Sequence, residues 1–258
     1  MTRRHITFES EGSALVGTID EAAGSTGLLI VSGGNELRSG AWNGQALLAA
    51  RLADAGFPVF RFDRRGVGDS EGPNGEFRSS GPDIAAALAA FRVEAPRVTR
   101  VIAFGNCDAA SALMLAKGAG FDALVLSNPW TIEEGAAEAV PEALRSHYAQ
   151  RLKDPKALLR LLKGKVSLGQ LFASLKSALR PTPPPTSLAQ EIAIGLTQFS
   201  APVRILLASR DRTAQAFEAS WDKADARIAR CAGATHSYVE AEARLWLESR
   251  LLEALGQG

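Results

Sequence analysis

Three residues in this 258-residue chain carry side chains that could do chemistry together: Cys107, Asp211 and His236. Cys107 lies in Gly105-Asn106-Cys107-Asp108-Ala109, which has the shape of the G-x-S-x-G nucleophile elbow with sulfur in place of oxygen. A thiol beside an imidazole, with a carboxylate to orient the ring, can attack a carbonyl carbon and hold the acyl group on sulfur. His236 is the base in this reading, and Asp211 fixes its tautomer. Of the other two histidines, His5 opens a strand-like run and His147 lies in a basic stretch. No histidine or cysteine pair has metal-ligand spacing, and no cofactor is expected. A free cysteine is also commonly a small buried hydrophobe, and that alternative stands beside the nucleophile.

The elements around these residues must hold them at one edge. Val101 to Phe104 has the length and composition of a buried strand, it stops at Gly105, and Ala109 to Ala116 are good helix formers. Strand, tight turn and helix would lift Cys107 to the tip. The first turn of that helix offers unpaired N–H groups, favouring a thiolate and then an oxyanion. Asp108 would supply one backbone N–H, while the direction of its carboxylate is left open. A second strand, Gly27 to Val31, ends in Ser32-Gly33-Gly34-Asn35, whose backbone could face a ligand; Gly34 and Asn35 are the candidates for the other oxyanion donor.

Strand-like runs at 57–62, 122–127, 202–208 and 226–231 alternate with helical stretches, the pattern of a mostly parallel sheet wrapped by helices. His5 to Glu9 and Ala14 to Ile19 suit an opening antiparallel hairpin. Asp63 to Ser70 reads as a structural turn, because no phosphate-binding glycine motif is present. Cys231 reads as a core residue. Between Thr131 and Ser200 the alternation breaks into helical patches and the stiff spacer Pro181 to Pro185, which suggests a helical cap over residues 131–200, with 1–130 and 201–258 forming the core.

Net charge is +1, the apolar fraction is 46%, and the two cysteines are far apart, so neither a disulfide framework nor overall polyelectrolyte character is expected. No stretch reaches the ~18 apolar residues of a membrane span, and the expected location is the cytoplasm. From Ala143 to Arg180, however, nine basic residues stand against the single acid Asp154. That surplus could be a solvated helix face, or could attract an anionic acyl carrier such as coenzyme A or an acyl carrier protein. Aromatic residues are too sparse among these charges to suggest nucleic acid. Arg38, Arg145, His147 and Arg151 are the candidate substrate or cap contacts, and the oligomeric state is left open.

Gly33-Gly34, Asp63-x-Arg-Gly-x-Gly-x-Ser70, the elbow at Cys107, Asp211 and His236 together resemble the α/β-hydrolase superfamily with an inserted cap, the triad following in its chain order. More narrowly, Phe57-Pro-Val-Phe-Arg-Phe-Asp63, Gly105-Asn-Cys-Asp108, Leu126-Ser-Asn-Pro-Trp130 and His147-Tyr-x-x-Arg151 are similar to the exosortase A system-associated hydrolases of exopolysaccharide loci. The resemblance implies an α/β-hydrolase fold and an acyl hydrolase or acyltransferase working through an S-acyl-enzyme. Sulfur attacking a thioester exchanges like for like, so thioesters come first, then activated esters, and peptides last. The rival expectation is a non-catalytic scaffold that keeps the fold and holds an acidic partner on its basic cap.

Overall fold

A computed structural model describes residues 2–133 and 186–256. Eight strands form one sheet: β1 (Thr2–Ser10), β2 (Ser13–Glu21), β3 (Thr26–Val31), β4 (Val59–Phe62), β5 (Arg100–Asn106), β6 (Ala123–Ser127), β7 (Val203–Ala208) and β8 (Ile228–Cys231). Their order is β1-β2-β4-β3-β5-β6-β7-β8. β1 and β2 are antiparallel, β2 meets β4 antiparallel, and every pairing from β4 to β8 is parallel.

The expected hairpin closes through Glu11 and Gly12, both at positive φ (47° and 76°), as a two-residue turn between twisted strands requires. The inner strands follow from their composition. Val101 to Phe104 of β5 and Ala123 to Leu126 of β6 are buried throughout, because helices cover both faces of a parallel sheet.

Helices α1 (Gly44–Asp54) and α6 (Ala241–Leu255) are built on buried leucine and alanine positions that join one apolar cluster, with Leu48, Leu52, Leu247 and Leu251 against Leu28, Ile30, Ile102 and Val125. On the other side, α2 (Gly81–Glu94), α3 (Asp108–Leu115), α4 (Ser187–Thr197) and α5 (Arg212–Ser220) meet Leu29, Val31, Val101 and Leu124. The chain passes from β3 through α1 to β4 on one side, then through α2 back across β3 to β5. The strand order therefore reverses between β3 and β5, and the turns after these two strands lie side by side at their C-terminal ends, where open α/β sheets form crevices.

Helix α4 differs from the sequence expectation, which drew 131–200 as one insertion. Leu188, Ile192 and Leu196 are buried in the main core, and Thr186 caps the helix by accepting from the Ala189 N–H. The spacing of those three apolar residues was the available signal, obscured by the proline run before it. The remaining cap expectation, including Arg145, His147, Arg151 and the other basic residues up to Arg180, lies outside the described residues.

Contact between α4 and α3 depends on one missing side chain. A Cβ at Gly195 would stand 2.2 Å from the Met114 carbonyl oxygen, a backbone atom that can move only with α3. Gly195→Val is therefore expected to separate the helices and destabilise the protein by roughly 1–3 kcal/mol or more, read as a lower urea midpoint, whereas an unchanged midpoint would show that α4 adjusts freely.

Candidate functional site

β5 delivers Cys107 into an uncommon backbone conformation. Its φ of 64° and ψ of −130° lie where side-chain-bearing residues rarely go, at a cost of about 1–3 kcal/mol. The turn is over-determined. The Cys107 N–H donates to the Ser127 carbonyl on β6 (2.9 Å), and the Cys107 carbonyl accepts from Ala110 (3.1 Å) and Trp130 (3.3 Å). Gly105 permits the sharp return, since a Cβ there would stand 2.7–2.9 Å from backbone atoms of Ala109 and Ala110. Cys107 is left half-exposed, whereas Cys231 is buried in the core as expected.

β7 delivers Asp211. The turn after this strand makes Asp211 the N-cap of α5, its carboxylate accepting from the Thr213 and Ala214 N–H groups at 3.2 Å each. The same carboxylate also accepts from His236 Nδ1 at 2.8 Å. Nδ1 thus carries a proton, and Cys107 is the second group that acts on the ring. Asp211 first and Cys107 second hold the His236 proton, against the opposing effect of burial, and raise its pKa from 6.5 to about 10. The structure therefore brings together Cys107, Asp211 and His236. The raised pKa keeps the ring protonated near neutral pH, beside the Cys107 side chain.

The backbone behind His236 is clamped by two asparagines. Its carbonyl accepts from Asn106 Nδ2 (3.2 Å) and Asn128 Nδ2 (3.3 Å), and Asn128 Nδ2 also donates to Asn106 Oδ1 (2.9 Å). Asn128 Oδ1 in turn accepts from the Ala208 N–H at the end of β7 (2.8 Å). Fully buried and at φ 44°, Asn128 thus ties together the three segments bearing Cys107, Asp211 and His236. Below it Tyr238 hydrogen-bonds Ser127 Oγ at 2.9 Å, and burial pushes its phenol pKa upward. The sequence signalled neither role, because long-range amide hydrogen bonds leave no periodicity.

The turn after β3 comes close enough to touch the elbow. A Cβ on Gly33 would meet the Asn106 carbonyl at 2.5 Å and Asp108 Oδ1 at 3.0 Å, so this position requires glycine. The direction of the Asp108 carboxylate is now settled. It turns across the gap and accepts from the Gly34 N–H at 2.6 Å, with Oδ2 3.5 Å from Arg64 Nη2. The Gly34 donor is at the site but already engaged. Asn35 is exposed and its side-chain oxygen accepts from Asn74 Nδ2 (2.7 Å).

Arg64 was not foreseen as a site residue. It comes from the Asp63–Ser70 turn, which is structural as expected: Asp63 and Asp69 ion-pair with Arg38, and the Asp63 carbonyl accepts from the Ser70 hydroxyl (2.7 Å). Arg38 is committed to that turn and does not line the hollow beside Cys107. Arg64 escapes the turn and reaches inward, donating to the Gly34 carbonyl and to Ser80 Oγ (3.1 Å).

Among the described residues, the hollow over Cys107 measures about 910 Å³ and is bounded by Gly34, Arg64, Phe77, Trp130, Ile132 and Leu188. Its lining mixes these apolar side chains with the charged Arg64, Glu76, Arg78 and Glu133 beside a thiol, room for a substrate with both apolar and polar parts. Among the described residues no cluster of His, Cys, Asp or Glu is arranged to hold a metal ion, and no helix is long and apolar enough to cross a membrane.

Several solved structures share this fold. An esterase of Pyrococcus furiosus superposes with a TM-score of 0.62 at 13% identity, over 98% of this chain and 89% of that one. An alpha-beta serine hydrolase homologue from Coxiella burnetii gives 0.60 at 17% identity, over 99% of each chain. A lidless serine hydrolase of Xanthomonas campestris gives 0.59 at 14%, over 99% of this chain and 96% of that one. At such identities these likenesses speak for the fold alone. No curated protein matches the sequence. The model of the Alpha/beta hydrolase family, by contrast, matches residues 28–247, from β3 to α6, and the chain belongs to that family.

Proposed function

We propose that this protein is an acyl hydrolase or acyltransferase with a Cys107-His236-Asp211 triad, acting on thioesters or activated esters. The observation that carries this reading is the 2.8 Å contact between Asp211 and His236 Nδ1, with Cys107 as the ring's other partner at the mouth of the hollow. In acylation the Cys107 sulfur attacks the carbonyl carbon, a C–S bond forms, and the π pair moves onto oxygen, which the Asp108 N–H faces at the start of α3. Collapse re-forms the carbonyl and expels the leaving group, which takes its proton from His236. Water or another acceptor, deprotonated by the now neutral ring, then attacks the S-acyl group and releases it.

A sulfur nucleophile is itself a weakly basic, easily expelled group, so acylation goes forward best with leaving groups no more basic than a thiolate. Thioesters on coenzyme A or a carrier protein fit this requirement, and the surplus of basic residues between Ala143 and Arg180 would attract such anionic carriers. The likeness to the exosortase A system-associated hydrolases points the same way, to a cysteine-dependent member of the family.

The direct test is alkylation by iodoacetamide at about pH 6, where an ordinary thiol is protonated and slow. Rapid labelling of Cys107 that is lost in Cys107→Ser and strongly reduced in His236→Ala is expected. Screening acyl thioesters should then show turnover reduced by several powers of ten in Cys107→Ala with the fold intact. Slow labelling indifferent to His236 would instead favour a non-catalytic scaffold.

Proton binding by His236 also has a signature in stability. The unfolded ring titrates near 6.5 and the folded ring holds its proton up to about 10. Its contribution is complete below the unfolded value and is lost as pH rises through the folded one. The difference in urea midpoint between wild type and His236→Gln should therefore shrink from about pH 6 to about pH 10; a constant difference would overturn the raised pKa.

A further inference from the structure

Asp108 stands at the crossing of two requirements. An acyl oxygen at Cys107 needs two donors, the N–H of the residue after the nucleophile and an N–H from the turn after β3. Asp108 provides the first through its backbone and masks the second through its side chain, since its Oδ1 accepts from the Gly34 N–H at 2.6 Å. A charged acceptor at that distance is a stronger partner for an N–H than the neutral carbonyl of an arriving ester. The resting site therefore already holds an anionic oxygen where the reaction would generate one.

The carboxylate has somewhere else to go. Arg64 is buried, and its Nη2 lies 3.5 Å from Asp108 Oδ2, too far for a strong ion pair but reachable by a small side-chain rotation. Other contacts fix the guanidinium itself, to Ser80 Oγ and the Gly34 carbonyl, so it waits in place. On the open side of Gly34 nothing lies within 4 Å of where a Cβ would point.

Resting on the acyl chemistry assigned to Cys107, we propose that Asp108 is a gate on the oxyanion hole. Its carboxylate masks the Gly34 N–H in the empty enzyme and turns onto Arg64 when an acyl oxygen takes that donor. The gate slows every acylation by the work of displacing the carboxylate. The same displacement is required of any acyl oxygen that takes the Gly34 N–H, activated esters included. Alkylation of the thiol by a small haloacetamide does not pass through the gate, because displacement of iodide by sulfur generates no oxyanion.

That difference supplies the test. Acylation of Cys107 by p-nitrophenyl acetate is followed as the burst of p-nitrophenol, and alkylation by iodoacetamide is followed by intact mass, in wild type, Asp108→Ala and Asp108→Asn. Removing a negative charge near the thiol affects both rates, so the quantity read is their ratio. Asp108→Ala is expected to raise the acylation-to-alkylation ratio by about tenfold, a fraction of what one oxyanion donor contributes. Asp108→Asn, which keeps the size and loses the charge, is expected to raise it less and guards against misfolding of the alanine variant. A ratio at or below the wild-type value in the folded variants overturns the gate while leaving the triad intact. Failure of Cys107 to alkylate in a His236-dependent way overturns the triad, and the gate with it.

Discussion

The architecture depends on holding one residue in a conformation it would not adopt alone. Cys107 sits at φ 64° in the turn between β5 and α3, and four backbone hydrogen-bond and packing restraints keep it there: the Ser127 carbonyl, the Ala110 and Trp130 N–H groups, and the glycine-permitted approach at Gly105. Each restraint comes from a different element, so the elbow exists only once β6, α3 and the segment after β6 are in place. The buried runs of β5 and β6 are what make that assembly stable enough to carry the local cost.

Around this elbow, the protein fixes its histidine by the main chain as well as by the ring. Asp211 orients the imidazole, while Asn106 and Asn128 hold the His236 carbonyl. A ring on a loop could reach Asp211 in several ways; with its backbone also fixed, few remain. Asn128 pays for its own burial by satisfying its amide on three segments, so it is a fully bonded polar group inside the core.

Local patterns made the frame legible in the sequence. The strand at Val101 to Phe104 and the hairpin at Ser10 to Ser13 each rest on a signal within a few residues of chain. Long-range side-chain placement was not legible. Whether Asp108 faces solvent, its own helix or Gly34 depends on how closely the turns after β3 and β5 approach, which is set by Gly33 and by the parallel pairing of those strands. Arg64 was hidden for the same reason, since its neighbours in Asp63–Ser70 serve the turn while its own side chain reaches the Gly34 carbonyl. All of α4 read as insertion because a proline run precedes it, although Leu188, Ile192 and Leu196 carry a helical core face.

Asp211 has one further consequence. Its two carboxylate oxygens accept from the Thr213 and Ala214 N–H groups and from the His236 ring, so the start of α5 and the orientation of the imidazole are written by a single side chain. Local folding and the setting of the imidazole are thereby inseparable at this position. The ring is held in this orientation only when the helix has begun, and a chain with a frayed α5 has no oriented imidazole.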